Sequence, residues 1–133
     1  MKKWAAWTVV GAILLSVSGI AYVSSAKAVE KPEKGIIIGQ AIEFSTYAMQ
    51  DREGEGYVAA LTNRAELGFP VGILEEGTGD IWIVVYRNPA PASGMQTGNE
   101  MLAPLMGKKI VVQGLKYRAP GVNLIRISIA SEY

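Results

Sequence analysis

The sequence predicts a mainly β domain, a small barrel with two helices, standing behind an N-terminal export segment. Three observations carry this prediction. Five short stretches rich in β-branched and aromatic residues are separated by turns containing glycine and proline. Two other stretches lack that bias, and one of them has a helical period. The first 28 residues have the layout of a secretory leader: Lys2 and Lys3, an apolar run from Trp4 to Val23, then the small-residue site Ala26-Lys27-Ala28.

The leader has two readings. A cleaved signal has an apolar core of roughly 7–15 residues. Trp4 to Val23 is 20 residues, long enough to cross a bilayer as a helix. Trp4, Trp7 and Tyr22 lie near its ends, as interfacial aromatics do, and Lys2 and Lys3 would hold the start in the cytoplasm. Ala26 and Ala28 suit cleavage before Val29. Under either reading residues 29 onward lie in the periplasm or on the extracytoplasmic face of the membrane, free or tethered through residues 4–23. That location excludes chemistry needing ATP or nicotinamide cofactors. The chain has no cysteine, which excludes a lipoprotein anchor, disulfides, thiolate metal sites and cysteine nucleophiles.

Residues 29–34 (VEKPEK) read as a charged linker. A first strand is predicted over Gly35–Ser45, with Ile36, Ile38, Ile42 and Phe44 on one face and Glu43 and Ser45 on the other. Tyr47–Gly56 is polar and reads as a loop. In Glu55–Leu67, Tyr57, Leu61 and Ala65, with Val58, fit a 3.6-residue period, and Gly68 supplies a stop, so this is a helix. Val71–Leu74 is a short strand, Glu75–Asp80 a glycine-rich hairpin turn, and Ile81–Tyr86 (IWIVVY) the strongest strand. Arg87–Gly98 is a turn-rich loop, and Asn99 reads as the cap of a short helix ending near Gly107. Lys108–Tyr117 is a strand in which Gly114 marks a bulge or kink, and Ala119-Pro120-Gly121 is a tight turn. Val122–Ser131 is the last strand, with Ile125, Ile127 and Ile129 on one face and Arg126 and Ser128 on the other. Without the helix over 55–67, this is the element order of the OB-fold, a five-stranded Greek-key barrel with a helix between its third and fourth strands. A small α+β sheet with both helices on one side is the alternative.

From Gly35 onward the chain resembles a family of small, mostly uncharacterised exported bacterial proteins with an OB-like barrel. The resemblance rests on the glycine-led first strand with its polar loop and helix, on ELGFPVGILEEGTGDIWIVV at Glu66–Val85, and on LMGKKIVVQGLKYRAPGVNLIRI at Leu105–Ile127. It implies the barrel and an export address. Many members carry cysteines and a histidine around the first loop and helix. Here that region reads Tyr47-Ala48-Met49 and Tyr57–Leu67, so no metal or redox role carries over.

Residues 29–133 carry 10 basic and 12 acidic side chains, a net charge of −2. Such a domain is not built to neutralise phosphates, so nucleic acid is not an expected partner. The chain has no histidine, the commonest general base and metal ligand. Ser45, Thr46 and Ser93 therefore have nothing evident to activate them, and no enzyme is expected. Asp51, Glu53 and Glu55 alternate in a glycine-containing loop that suits Ca²⁺ in type but not in EF-hand spacing. Met95, Met101 and Met106 are soft thioethers suited to Cu(I), or simply core. No cofactor is expected.

The candidate binding face is aromatic and basic: Trp82, Tyr86 and Arg87 on and after the third strand, Tyr117 and Arg118 ending the fourth, and Arg126 on the fifth. On an OB barrel the face of strands two and three is the usual platform. Two functions fit. One is a non-catalytic accessory subunit that binds a protein, such as a membrane complex. The other is a soluble periplasmic barrel binding a small ligand or glycan on the Trp82/Tyr86 face. If Trp82 instead covers the barrel edge or packs under the 55–67 helix, it serves stability alone.

Overall fold

A computed structural model describes residues 30–133. The leader, with its cleaved and tethered readings, lies outside the described residues. Among those described, no helix is long and apolar enough to cross a membrane.

Five strands close into a barrel in the order β1-β2-β3-β5-β4, which is the OB-like arrangement the element order predicts. Strand β1 (Glu33–Glu43) pairs antiparallel with β4 (Lys109–Ala119) along Glu33–Gln40 and with β2 (Val71–Glu75) along Gly39–Glu43. Strand β2 pairs with β3 (Ile81–Val85) through the 75–80 turn. Strand β3 runs parallel to β5 (Val122–Glu132), Ile83–Val85 facing Leu124–Arg126, and β5 returns antiparallel along β4. Closure therefore turns on β1 changing partner at Gly39 and Gln40. A Cβ at Gly39 would overlap the Leu74 carbonyl, so glycine alone permits that approach.

Three helical pieces cover one side. Helix α1 (Phe44–Met49) follows β1 directly, α2 is Tyr57–Glu66, and α3 (Gly98–Leu102) continues into a 3₁₀ turn over Ala103–Leu105. Leu61 and Ala65 from α2, Leu102 from α3 and Met106 beyond it pack with Ile37, Ala41, Ile73, Ile110, Val112 and Ile125 in one core. Each fully buried aliphatic side chain of this kind stabilises the fold by about 1.5–3 kcal/mol.

The structure differs from the sequence expectations in several places, each for a physical reason. β1 begins at Glu33, so two residues read as linker belong to the barrel. Ile37 faces the core and Ile36 is 59% exposed, the reverse of the predicted phase. Three consecutive isoleucines satisfy a period of two in either phase, and only closure of the barrel selects one. Ile42 is buried as expected, although Ala41 and Glu43 beside it are buried too. Phe44 and Ser45 start α1 and do not extend the strand. Thr97, not Asn99, caps α3, its hydroxyl accepting from the Glu100 N–H at 3.2 Å. Asn99 is buried instead, and its amide donates to the carbonyls of Ala65 (2.9 Å) and Phe69 (2.6 Å), tying α3 to the end of α2.

The irregularity expected at Gly114 is present, and the extra residue sits on β5. Gln113 faces Ile129 and Gly114 faces Ile127, which leaves Ser128 unpaired in the ladder. That one residue reverses the faces beyond it. Ile125 and Ile127 point inward as predicted, whereas Ile129 is 58% exposed.

Candidate binding face on β3, β4 and β5

Trp82 is the first correction at the site. It shares a face of β3 with Val84, and that face is the inside of the barrel: the indole is 0% exposed and stands opposite Ile73 of β2. Its Nε1–H donates to the Glu75 carboxylate at 2.9 Å, which also accepts from the Thr78 hydroxyl at 3.1 Å. Half-buried Lys116 and exposed Arg118, at the end of β4, lie over the ring at 4.9 and 4.7 Å from its centroid. The Lys116 stem fills the space beside Gly35, where a Cβ would come within 2.6 Å of it. Trp82 is thus the core residue at the barrel mouth, covered by two cations. It is not a platform open to a ligand.

The other five expected residues do come together. Tyr86, Arg87 and Arg126 line a recess of about 620 Å³ with Lys34, Gln113 and Ser128. Tyr117, Arg118 and Arg126 line a second recess of about 370 Å³ with Pro89, Leu124 and Glu30. The recesses meet at Arg126. Their geometry follows from strand register. Lys34 stands opposite Leu115, Leu115 opposite Arg126, and Arg126 opposite Val85, so a single row crosses β1, β4, β5 and β3. The bulge at Ser128 dents the sheet next to that row, and the Ser128 hydroxyl donates to the Gln113 carbonyl at 3.1 Å. Arg87 lies over the Tyr86 ring at 5.4 Å.

The face is positive and its cations are unpaired. Among the described residues the ion pairs are Lys108–Glu132 (3.3 Å) and Lys109–Glu76 (2.9 Å), and neither involves Lys34, Arg87, Lys116, Arg118 or Arg126. The hydrogen bond from Lys109 to Glu76 holds that ammonium above its usual pKa. Sequence reasoning missed Lys34, placed in a linker, and Gln113 and Ser128, whose roles depend on closure and the bulge. A charge signal was present: residues 101–131 contain five basic side chains and no acidic one.

Elsewhere the polar chemistry is structural. Glu43 is completely buried and caps α1, accepting from the Ser45 N–H (2.9 Å), the Ser45 hydroxyl (2.6 Å) and the Thr46 N–H (2.8 Å). Burial alone would push this carboxyl up, and the bonds from Ser45 and Thr46 together outweigh it, leaving the pKa below the ordinary glutamate value. Arg64 reaches from α2 to the hydroxyls of Ser45 (3.1 Å) and Thr46 (3.3 Å). Tyr57 is buried nearby, and its burial raises the pKa of its hydroxyl. Asp51, Glu53 and Glu55 are exposed, and among the described residues no group of three or more acidic, histidine or cysteine side chains is gathered to hold a metal. Met106 is core while Met95 is 80% exposed, so these methionines do not share one environment.

The face offers three guanidinium groups, an ammonium and two tyrosine rings around concave surface, groups suited to holding an anion. Comparison of the chain with protein-family models, with curated proteins and with solved structures finds no match.

Proposed function

We propose that this domain is a non-catalytic binding module, an accessory subunit that engages a partner protein on the outer side of the cytoplasmic membrane. The observation that supports it is the pair of recesses joined at Arg126, lined by cations that have no carboxylate partner among the described residues. Like charges held close together oppose folding, and a partner of opposite charge relieves that repulsion. The export-type leader supports the location. The small-ligand reading loses its main aromatic contact, because Trp82 is inside the barrel.

The test is native electrophoresis of mild-detergent extracts from cells expressing the protein or its Arg87→Glu/Arg126→Glu variant. The expected result is a complex well above the 14.3 kDa of the single chain, lost in the variant while the fold is retained. Migration of the unaltered protein as a single chain, or an unchanged complex in the variant, overturns the proposal.

A further inference from the structure

Building on the binding-module reading, we infer that this face takes an extended, carboxylate-bearing peptide segment of the partner, laid across β4 and β5 with its acidic side chains over Lys34, Arg87 and Arg126. Four features lead to this occupant. The larger recess has no acidic side chain among its lining residues, so charge complementarity calls for an anion. Its volume of about 620 Å³ falls in the range of sites that enclose a ligand. The cations line a hollow beside a bulge, which a flat bilayer surface does not enter and a peptide does. The guanidinium groups of Arg87 and Arg126 match a carboxylate fork to fork.

The mode of recognition is also constrained. At this row Leu115 and Arg126 are each paired on both sides, Leu115 by Lys34 and Arg126, and Arg126 by Leu115 and Val85. A segment lying over it therefore meets no free strand edge and is read through side chains, whereas residues 33–38 of β1 and, Ser128 apart, 127–132 of β5 are paired on one side only. Lys34 and Arg126 lie two strand spacings apart across Leu115, about 9–10 Å. A segment crossing the row spans that distance in about three residues. Past Arg126 it meets the second recess, whose walls include Leu124, Val122 and Pro89 and which suits an apolar side chain following the acidic ones. A nucleic acid is the weaker occupant, given the net charge of −2 over residues 29–133.

Arg118 supplies the readout. It lines the second recess and lies over Trp82, and Trp82 is the sole tryptophan outside the leader. The experiment titrates the full chain carrying Trp4→Phe and Trp7→Phe, in non-ionic detergent, with acetylated hexaglutamate. Binding is followed by Trp82 emission and by calorimetry. Expected are saturable binding, a Kd raised at least tenfold by Arg126→Glu, and a change under twofold for Lys109→Glu at the opposite end of the barrel. Circular dichroism confirms that each variant is folded.

Equal binding by Arg126→Glu overturns the site. Inorganic tripolyphosphate binding more tightly than the peptide, or phosphatidylglycerol vesicles binding where the peptide does not, overturns the carboxylate assignment. If hexaglutamate fails to bind while Arg87→Glu/Arg126→Glu still disperses the native complex, the ligand class is wrong and the binding-module reading stands. If neither effect is seen, both fall.

Discussion

The helix-covered side of the barrel and the β4–β5 side treat polar groups in opposite ways. Under the helices, Glu43 and Asn99 are buried and their bonds are made within the chain: Glu43 to Ser45 and Thr46, Asn99 to the carbonyls of Ala65 and Phe69. Around β4 and β5, Arg87, Arg118 and Arg126 are exposed and form no ion pair among the described residues. The first pattern is what folding requires, since a buried polar group left without a partner costs about 1–3 kcal/mol. The second has no such explanation, because exposed charges need not be clustered for the chain to fold. The internal bonds of Glu43 and Asn99 mark architecture here, with the buried Tyr57 hydroxyl the exception that has no hydrogen-bond partner among the described residues, and the exposed cations without ion pairs mark the face turned outward.

Trp82 tests this contrast most severely, since it stands between the two regions. As a core residue under Lys116 and Arg118, its replacement in Trp82→Ala removes a fully buried ring and should destabilise the domain by about 3–5 kcal/mol, read from urea unfolding. A loss below about 1 kcal/mol would mean that the ring is not core, and would return it to the binding face.

The next effect belongs to Glu43. Glu43→Ala removes the α1 cap and strands the buried Thr46 N–H, for an expected loss of about 2–3 kcal/mol. The pH dependence has a definite sign. The folded-state pKa is below the unfolded one, so the stabilisation is fully present above the unfolded glutamate value of about 4.3 and is lost as pH falls through the folded value. Glu43→Gln should flatten that acid limb. An unchanged limb in urea titrations across that window would assign the acid sensitivity to other carboxylates.

The smallest effect sharpens the comparison from the other side. Arg126→Ala removes an exposed cation with no ion-pair partner among the described residues, and the stability change should stay within about 0.5 kcal/mol, with Tm rising slightly at low salt as repulsion is relieved. A loss above about 1 kcal/mol would show Arg126 to be architectural and would weaken its assignment to a binding face.

How much of this was legible in advance varied by element. The α2 helix was readable because Tyr57, Leu61 and Ala65 repeat along a single face, and the structure buries those three. The 75–80 turn and strand β3 were readable from glycines beside a β-branched run. The α1 helix was not, being six residues long and capped by a glutamate, a residue outside the usual capping set. At the site, the aromatic and basic residues near the ends of β3 and β4 were recognisable by type. Trp82 was misplaced, because type alone does not say which face of a strand is inside.

By itself, then, the chain determined the number and order of its strands, a helix read over 55–67 that the structure forms over Tyr57–Glu66, the turns and the residue types available to the face. These depend on local propensity and period, which act over a few neighbouring positions. Only the tertiary structure decided the phase of β1, the inward turn of Trp82, the outward turn of Ile129 and the joining of Lys34 to Arg126. Each of these depends on register between strands distant in sequence. A shift of one residue, as at Ser128, reverses which side chains meet the core and which meet the solvent.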